Sequence, residues 1–430
     1  MFLHKKQPFQ RLFFMYNLIY MELVHDGFLY SALFLTLYFQ VFMLLTYFGW
    51  SKKEKYPGFN ENELPSVSIM IPCWNEETTV IKTIESLLDL NYPKEKLFVV
   101  VIDDGSTDNT WQVVQKYANH PQVRLLQKEN EGSKFAALNY GLDRIHTDIV
   151  GCLDADSRVD TEALRYSIIP FSDPEVMSVV PSMVIDSPKT FWQHMQKPEY
   201  EMGIYLRKVF SSLNSLYITP GPFSIFRKSV FDKIGYYIEA HHTEDLELAL
   251  RMQVNGMRIV HAPNSLVYTH GPKTWPTLLK QRVRWTYGGF KNVLSDYRHM
   301  LFKKKFGNLG AFILPFAMLS NLITIVAFPF LIWGIVKSIY TFGLEWISRG
   351  FDIKAPSFDL FYVNNQSYAY ISLLLLGFTF LIVYISRRSI LRTRLLSFDL
   401  LTFFVYPFFA SWWMIKSAYN FVTSKKSAWR

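Results

Sequence analysis

Cysteine is almost absent from this chain: two cysteines, Cys73 and Cys152, occur in 430 residues. A disulfide framework or a zinc site needs more thiol ligands than two separated residues supply. Each cysteine lies in an apolar run that is typical of a buried strand, so we expect reduced thiols in the core. The sequence therefore argues against a disulfide-stapled domain and against a zinc protein.

Charged residues are also scarce, at 19%, while 50% of the residues are hydrophobic and 17% are aromatic. That balance favours a membrane protein. The apolar residues concentrate before about residue 50 and after about residue 308, and the middle has the composition of a water-soluble domain. We predict a membrane segment at 1–50, a cytoplasmic domain at 65–290, an interfacial connection at 291–308 and a transmembrane region at 309–424.

Much of the net charge of +9 lies in basic clusters beside the apolar segments. The clusters are Lys52-Lys53-Glu54-Lys55, Lys303-Lys304-Lys305, Arg387-Arg388 and Lys425-Lys426. Such clusters are typical of the cytoplasmic face, where they contact anionic lipid. No segment has the pattern of a helix that enters a DNA groove, so we expect no nucleic-acid partner.

Two apolar segments near the N-terminus differ in length. Residues 28–50 are long enough to cross a bilayer as a helix. Residues 12–24 are shorter and carry Glu22, so they are expected to form an interfacial helix or one arm of a hairpin turning at His25-Asp26-Gly27. No small-residue cleavage site separates them from the crossing, which argues against a removable signal peptide.

Three more apolar segments follow the middle block, at 309–340, 368–385 and 395–422. Each is able to span a membrane or to lie partly on it. The first is long enough to combine an interfacial turn with one crossing. The number of crossings and the side of the C-terminus therefore stay open.

The middle block alternates short β-branched runs with amphipathic stretches, which predicts an α/β fold with a doubly wound, mostly parallel sheet. The predicted strands are 67–71, 97–102, 123–126 and 149–153, and the predicted helices are 77–89, 109–118 and 133–144. Ligands bind such sheets at the carboxyl ends of the strands. Asp103-Asp104 and Asp154-Ala155-Asp156 each follow a predicted strand directly.

Those two acidic motifs are the first candidates for a ligand site. Asp154 and Asp156 supply two hard oxygen ligands that suit Mg²⁺ or Mn²⁺ bridging a diphosphate, although an Asp-x-Asp also occurs in ordinary surface turns. Asp103-Asp104-Gly105 would hold a base or a ribose, with Gly105 allowing close approach. The alternative for that motif is a turn in which Thr107 or Asp108 caps the next helix.

Two further motifs carry charge at the start of helices. Lys134 is placed to meet phosphate, because the helix dipole and free amides add to its charge; a solvated surface lysine is the alternative. In Thr243-Glu244-Asp245, Asp245 is a candidate general base for an acceptor hydroxyl, and helix capping is the alternative. The nearby histidines His241 and His242 are expected to be structural, and His270 is a weak candidate for the metal shell.

Gln281-Arg282-Val283-Arg284-Trp285 lies in a predicted helix that leads toward the second apolar region. A guanidinium can clamp phosphate oxygens with two hydrogen bonds, and an indole can stack on a sugar ring. An amphipathic helix would also place arginine and tryptophan at a bilayer interface. The position of the string after the acidic motifs favours the ligand-binding interpretation.

Together these motifs resemble the processive, membrane-integrated family-two glycosyltransferases, which include cellulose, chitin and hyaluronan synthases and the bacterial poly-beta-1,6-N-acetyl-D-glucosamine synthases. The resemblance covers roughly half of the chain and implies a GT-A-type fold between N-terminal and C-terminal transmembrane helices. Pro72-Cys73-Trp74-Asn75-Glu76-Glu77 is similar to the opening nucleotide-binding motif of the family. Arg284-Trp285-Thr286-Tyr287-Gly288-Gly289 is similar to the motif of the poly-N-acetylglucosamine group, apart from Thr286-Tyr287.

The resemblance implies a role for each matching residue. The donor nucleotide sugar would be bound by Pro72, Asn75, Glu76, Asp103, Asp104, Lys134, Asp154 and Arg284. Within that set, Asp104 would hold the uridine portion and Lys134 the diphosphate, while Asp156 with Asp154 would hold the metal. Asp245 would be the catalytic base, and the acceptor would be bound by Gly221, Pro222, Glu244, Gln281 and Trp285.

The implied activity is an inverting transfer, dependent on Mg²⁺ or Mn²⁺, from a UDP-sugar to a growing capsule or biofilm polysaccharide or to a glycolipid. UDP-N-acetylglucosamine is the preferred donor. The enzyme would be a multi-pass protein of the cell membrane with its catalytic domain in the cytoplasm, and a small membrane subunit is a candidate partner. Four aromatic residues would either line the polymer path or pack in the core, namely Trp192, Tyr200, Tyr205 and Trp285.

Three alternatives stay open at this point. A non-processive transferase that adds one sugar to a lipid would share the donor site and differ in product length. A catalytically dead membrane scaffold is disfavoured by the acids at Asp104, Asp154, Asp156 and Asp245, which a binding protein does not need. A transporter is disfavoured because the apolar segments carry few polar residues to face a pathway.

Overall fold

The computed structural model describes residues 7–50, 56–349, 367–388, 398–403 and 405–424. The predicted basic clusters Lys52-Lys53-Glu54-Lys55 and Lys425-Lys426 lie outside the described residues. The chain divides into two compact units. The first contains the chain up to Leu45 and Leu319–Leu381, and the second contains Thr46–Met318 and the chain from Ile382 onward.

The chain begins with one continuous helix of 44 residues, α1 (Gln7–Trp50). The predicted hairpin at His25-Asp26-Gly27 is wrong, because all three residues stay helical and the Gly27 carbonyl accepts a hydrogen bond from Ser31 Oγ at 2.8 Å. A single glycine costs a helix only about 1 kcal/mol relative to alanine, so it does not end α1.

The second unit is built on one sheet of eight strands. The strands are β1 (Val67–Cys73), β2 (Leu97–Asp104), β3 (Val123–Lys128), β4 (Ile149–Cys152), β5 (Arg158–Val159), β6 (Val176–Ile185), β7 (Ile225–Arg227) and β8 (Arg258–Thr269). Their order in the sheet is β3-β2-β1-β4-β7-β6-β8-β5. β2 runs through Asp103 and Asp104, so these acids are its last residues and not the ones after it.

The predicted α/β fold is confirmed, and its sheet is mixed: six strands run in one direction, and β5 and β7 run against them. β1, β2, β3 and β4 pair in parallel, as do β6 and β8. β7 runs antiparallel to both β4 and β6, and β5 runs antiparallel to β8. The reversal arises where Phe223 N–H donates to the Cys152 carbonyl at 2.6 Å, because β7 then starts at the carboxyl end of β4 and runs back along it.

Helices cover both faces of the sheet. They are α2 (Val80–Leu88), α3 (Thr110–Val114), α4 (Lys134–Leu142), α5 (Ala163–Ile168), α6 (Phe191–Ser212), α7 (Ser229–Ile234), α8 (Glu244–Val254) and α9 (Trp275–Phe290). In α2, Val80, Ile84 and Leu87 recur every three or four residues and are buried against one face. On the other face, Leu138 and Leu142 of α4 pack in a separate core.

Four helices complete the described chain, namely α10 (Leu314–Arg349), α11 (Ser367–Ser386), α12 (Phe398–Phe403) and α13 (Tyr406–Val422). Among the described residues, the spans Asp26–Gly49 and Leu309–Ser348 are long and apolar enough to cross a membrane. Tyr370–Ser386 is apolar but shorter. Length and composition thus support two of the predicted crossings.

The chain from Ile382 onward packs in the same compact unit as the sheet. Arg387 is 1% exposed and donates to Glu201 of α6 at 2.7 Å, with Asp399 of α12 at 3.8 Å. Ser417 of α13 donates to the Val283 carbonyl of α9 at 3.2 Å. The prediction that Arg387 contacts lipid is wrong, because its charge is neutralised inside the protein.

Candidate active site

Three parallel strands end at the edge of the sheet where the predicted motifs lie. β1 ends at Cys73, which pairs with Asp103 of β2, and β4 ends at Cys152, shortly before Asp154. Cys73 and Cys152 are buried free thiols, as predicted. The carboxyl ends of these strands therefore bring the opening motif and both acidic motifs to one place.

The loop after β1 is tied to the loop after β2. Asn75 has a φ of 57°, and its Oδ1 accepts a hydrogen bond from Thr107 N–H at 2.8 Å. Glu76 N–H donates to Thr110 Oγ1 at 2.7 Å. The structure thus joins the two loops that the sequence assigned to the donor nucleotide, with Pro72 at the end of β1.

Asp103 and Asp104 are buried and already have partners within the protein. Asp103 accepts from Gln127 Nε2 at 3.1 Å, and Asp104 forms an ion pair with Lys128 at 2.8 Å. Sequence analysis missed Lys128, although the β2–β3 register places it opposite Asp104. A ligand that binds Asp104 therefore shares this carboxylate with a lysine.

The turn after Asp104 requires glycine for two reasons. Gly105 has a φ of 66°, and a Cβ on it would lie 2.7 Å from Asn130 N. Asp108 Oδ1 accepts from Thr110 N–H at 2.9 Å, but the N-cap of α3 is Asn109 and has no side-chain cap hydrogen bond. Asp108 therefore stabilises the turn before α3 without being its N-cap residue.

Lys134, Asp154 and Gly221 lie in direct contact. Lys134 Nζ is ion-paired with Asp154, and a Cβ on Gly221 would lie 2.7 Å from Lys134 Nζ and 3.4 Å from Asp154 Oδ1. Burial alone would lower the pKa of Lys134, but the negative charges of Asp154 and Glu244 outweigh burial and raise it above its usual value. Lys134 is thus a cation held in place by its ion pair with Asp154. The alternative that it is a solvated surface lysine is wrong.

The loop with Gly221 is fixed to the end of β4. Cys152 Sγ lies 2.9 Å from the Gly221 carbonyl, and Ser224 Oγ donates to the Pro220 carbonyl at 2.6 Å. Phe223 is buried with a φ of 65°, a conformation that favours glycine. Pro222 is buried beside it. Strain at this loop is held by surrounding contacts, as occurs at many binding sites.

Asp154 and Asp156 form the candidate cation site. Burial raises the pKa of Asp156 to about 6, and the charges of Asp154 and Glu76 add to the effect. Two carboxylates that repel each other at the end of a strand fit a divalent cation, which would neutralise both. In the described part of the chain no group of three or more histidine, cysteine or acidic residues has metal-site geometry. His270 is exposed, and its place in the metal shell stays a prediction.

Asp245 lies in the first turn of α8, which starts at Glu244. Its Oδ1 accepts from Leu246 N–H at 2.9 Å, and its carbonyl accepts from Thr219 Oγ1 at 2.8 Å. Burial raises the pKa of Asp245 to about 6, with Glu244 adding to the effect and Lys134 opposing it. The charge of Lys134 therefore acts on the carboxylate of Asp245.

The approach to Asp245 is strained. His241 and His242 have φ values of 53° and 64°, so two consecutive residues adopt the left-handed conformation. His241 Nε2 lies 3.1 Å from Asp296 Oδ2, which agrees with the predicted structural role. Burial and the charge of Arg284 lower the pKa of His242. Arg284 of α9 thus lies close to the turn that carries the candidate base.

The Gln-Arg-Val-Arg-Trp string forms the middle of α9. Among the described residues, Gln281 Oε1 and Arg284 Nε are buried without hydrogen-bond partners. Trp285 is 38% exposed, and the Arg282 guanidinium lies 4.5 Å from the centroid of its ring. Arg282 also pairs with Glu199 of α6 at 2.7 Å, a partner that sequence analysis missed. Arg282 therefore contacts both the indole and Glu199, whereas the binding role of Arg284 stays a prediction.

Gly288 fixes α9 to the turn before Asp245. A Cβ on Gly288 would lie 2.4 Å from Thr243 Oγ1, whereas a Cβ on Gly289 would meet no atom within 4 Å. Asn292 Nδ2 donates to both Thr243 Oγ1, at 3.0 Å, and the Gly288 carbonyl, at 2.9 Å. The position of the candidate base therefore depends on close backbone packing of α9.

The aromatic residues predicted to line a polymer path fall into two groups. Trp192 packs against Trp275 with ring centroids 5.2 Å apart, and Tyr205 is buried against Tyr47 at the same distance. These two follow the core-packing alternative. Tyr200 is half-buried and Trp285 is exposed in part, so their role in the path stays a prediction.

The sheet, with acids and a lysine at its carboxyl edge, is the framework of a nucleotide-sugar glycosyltransferase, and comparisons with known proteins agree. Residues 65–288 match the family described as Glycosyltransferase like family 2. The chain belongs to this family and is a glycosyltransferase. The family resemblance inferred from the motifs is therefore confirmed.

This chain is similar in sequence to two curated relatives and in fold to one solved structure. The chain is 30% identical over 283 residues to the poly-beta-1,6-N-acetyl-D-glucosamine synthase of Staphylococcus aureus (strain COL), covering 63% of this chain and 68% of the relative. It is 30% identical over 262 residues to the synthase of the same description from Staphylococcus epidermidis, covering 60% and 62%. A Pyrobaculum calidifontis mannosyltransferase in complex with GDP-Man and Mn2+ has the same fold, with a TM-score of 0.60, 18% identity and coverage of 92% and 96%.

Proposed function

We propose that this enzyme transfers N-acetylglucosamine from UDP-N-acetylglucosamine to the end of a growing polysaccharide, with inversion at the sugar carbon. The observation that carries the proposal is the contact of Lys134, Asp154 and Gly221 with Asp245 in electrostatic reach. In this proposal Lys134 is the phosphate-binding cation and Asp245 is the carboxylate base, and the charge of Lys134 acts on Asp245. The similarity to the staphylococcal synthases supports the choice of sugar.

On the donor side, each residue has a task set by its position. Asp103 and Asp104 close the space where the uridine portion would lie, next to the loop of Asn75 and Glu76. Lys134 would exchange part of its contact with Asp154 for the diphosphate, since phosphate oxygens are strong acceptors for an ammonium. Asp154 and Asp156 would hold Mg²⁺ or Mn²⁺, which stabilises the charge on the departing diphosphate.

On the acceptor side, Asp245 would take the proton of the acceptor hydroxyl as its oxygen attacks the sugar carbon. The new glycosidic bond forms as the bond from that carbon to the UDP oxygen breaks, and UDP leaves with the bonding electrons. Glu244, Gly221 and Pro222 would contact the acceptor, and Gln281 and Trp285 of α9 would hold its terminal sugar by hydrogen bonding and stacking. Arg284 would contact the diphosphate.

The apolar spans Asp26–Gly49 and Leu309–Ser348 support attachment to the cell membrane. We propose that the catalytic domain faces the cytoplasm, where nucleotide sugars are made, and that the polymer passes through the membrane during synthesis. A small membrane subunit is the proposed partner for that passage.

Membranes that contain the protein, incubated with a panel of UDP-sugars, test the proposal. UDP release with Mg²⁺ or Mn²⁺, its loss with EDTA, and a product cut by hydrolases specific for N-acetylglucosamine polymers are the expected results. No UDP release from any donor overturns the proposed transfer. A product with one added sugar on a lipid overturns polymer synthesis and leaves the donor chemistry in place.

A further inference from the structure

A cavity of about 310 Å³ lies in the second unit, at the opposite edge of the sheet from the active site. Its walls include Tyr47 from the end of α1, Lys208 and Ser211 from the end of α6, and His261 from β8. At the other end of β8, Thr269 Oγ1 lies 3.1 Å from the hydroxyl of Ser157, beside the candidate cation site. The cavity is therefore separate from the proposed sugar-transfer chemistry.

The charged side chain that lines the cavity is positive. Lys208 is the one lysine or arginine among the described residues that line it, and aspartate and glutamate do not occur in that set. The Lys208 ammonium lies 4.7 Å from the centroid of the Tyr47 ring, and no salt bridge involves it in the described part of the chain. An ammonium with an aromatic neighbour and no carboxylate favours an anionic ligand.

His261 adds a second requirement to the wall. Ser182 Oγ gives its one proton to the Pro263 carbonyl at 2.8 Å, so His261 Nε2, at 3.0 Å from that oxygen, must be the donor. Burial, with Arg207 and Lys208, lowers the pKa of His261 well below its usual value, so the ring is neutral and Nδ1 is an acceptor. His261 is 5% exposed, and Nδ1 has no hydrogen-bond partner among the described residues.

The position of Tyr47 identifies the source of the anion. Tyr47 lies in the last turn of the apolar span Asp26–Gly49, and its ring lies 5.2 Å from that of Tyr205 in α6. Tyrosines at the ends of membrane helices lie at the level of lipid headgroups, and basic pockets there bind anionic headgroups. The volume of this cavity, about 310 Å³, is at the lower end of the size range of ligand pockets. It therefore suits a headgroup and not a whole lipid.

We propose that this cavity binds the headgroup of an anionic phospholipid, with Lys208 on the phosphate and His261 Nδ1 accepting a hydrogen bond from a headgroup hydroxyl. A phosphatidylglycerol headgroup carries both groups. The site would make the stability of the catalytic unit depend on the lipid composition of the cytoplasmic leaflet. This goes beyond sugar transfer and rests on the membrane attachment proposed above.

Thermal unfolding of the full-length protein in detergent tests this site. Added phosphatidylglycerol is expected to raise Tm by about 5 °C at saturation, whereas phosphatidylcholine leaves it unchanged. Lys208→Met is expected to abolish the shift. Lys233→Met, which changes an exposed lysine of α7, is the matched control and is expected to keep it. A shift of equal size in wild type and Lys208→Met overturns the proposal.

Two more arms distinguish a lipid headgroup in the cavity from a free phosphate and from an effect of Lys208 elsewhere. Glycerol phosphate is expected to give no shift at the same concentration, and a shift equal to that of the lipid overturns the assignment to lipid. Ser212→Phe fills the cavity without changing its charge and is expected to abolish the lipid shift; a retained shift means that Lys208 acts elsewhere and overturns the site. The Tm of each variant in phosphatidylcholine, compared with that of wild type, shows whether the fold is intact without reference to UDP release, so a lost shift is distinguishable from failure of the proposed transfer.

Discussion

The donor side and the acceptor side of the active site differ in how their polar groups are satisfied. On the donor side, Asp104 is paired with Lys128 and Asp154 with Lys134. On the acceptor side, Gln281 Oε1 is buried without a partner among the described residues. The donor-side carboxylates thus keep their positions through their own ion pairs, which a diphosphate must partly exchange, whereas the acceptor side has a hydrogen-bonding group that a ligand would satisfy.

The largest effect is expected for Asp245→Asn, which removes the candidate base from the acceptor side. The amide cannot take the acceptor proton, so we expect kcat to fall by about 10²- to 10⁴-fold with little change in the KM for the donor. UDP release at saturating donor and acceptor is the measurement. Glu239→Gln, an exposed change nearby, serves as the control, and an Asp245→Asn enzyme as fast as this control would refute the assignment.

Lys134→Met changes the donor side of the site. It leaves Asp154 without its cation and removes the proposed phosphate contact, so we expect the KM for the UDP-sugar to rise by about 10- to 100-fold. Lys82→Met removes an exposed lysine of α2 and is expected to have no effect. Initial rates over a range of donor concentration decide the matter, and an unchanged KM in the Lys134 variant would show that phosphate binds elsewhere.

Two adjacent glycines test whether α9 positions the acceptor side. Gly288→Ala forces a Cβ into Thr243, so we expect a loss of about 1–3 kcal/mol of stability and a fall in kcat of about tenfold. Gly289→Ala meets no atom within 4 Å and is expected to gain up to about 1 kcal/mol through helix propensity. Thermal unfolding and initial rates should separate the pair. Equal behaviour of the two variants would contradict the close contact with Thr243.

The smallest effect concerns the pH dependence of the acceptor side. Asp245 acts as a base only when ionised, and burial with the neighbouring Glu244 raises its pKa to about 6, so kcat should fall as the pH drops below about 6. Glu244→Gln removes the neighbouring negative charge and should move this acid limb to lower pH. The pH profile of kcat for Glu239→Gln is the reference. A limb that stays in place in Glu244→Gln would show that another group controls it.

The sequence predicted the part of the site that depends on local pattern. β1, β2 and β4 are apolar runs buried on both faces, and their ends could be located to within a few residues. Because parallel strands end at one edge, Asp104 and Asp154 were predicted to lie together. Lys134 was predicted to lie at the start of a helix, and α4 begins at this residue.

What the sequence did not predict depends on contacts between distant segments. The partners Lys128, Glu199 and Arg387 are ordinary charged residues until the fold brings them to Asp104, Arg282 and Glu201. The antiparallel strand β7 is only three residues long, too short for a periodic signal. The continuity of α1 through His25-Asp26-Gly27 was missed because turn residues were given more weight than the apolar residues on both sides.

The hydrogen bond from Ser417 to the Val283 carbonyl spans 134 residues of sequence, and the ion pair of Arg387 with Glu201 spans 186. Because the ribosome adds roughly 5–20 residues per second, the sheet emerges several seconds before the segments that complete its unit. The span Leu309–Ser348 is synthesised in that interval. With the proposed insertion into the bilayer, folding of the catalytic unit finishes only after its membrane helices have been made, so the order of synthesis delays the active state until the chain is already at the membrane.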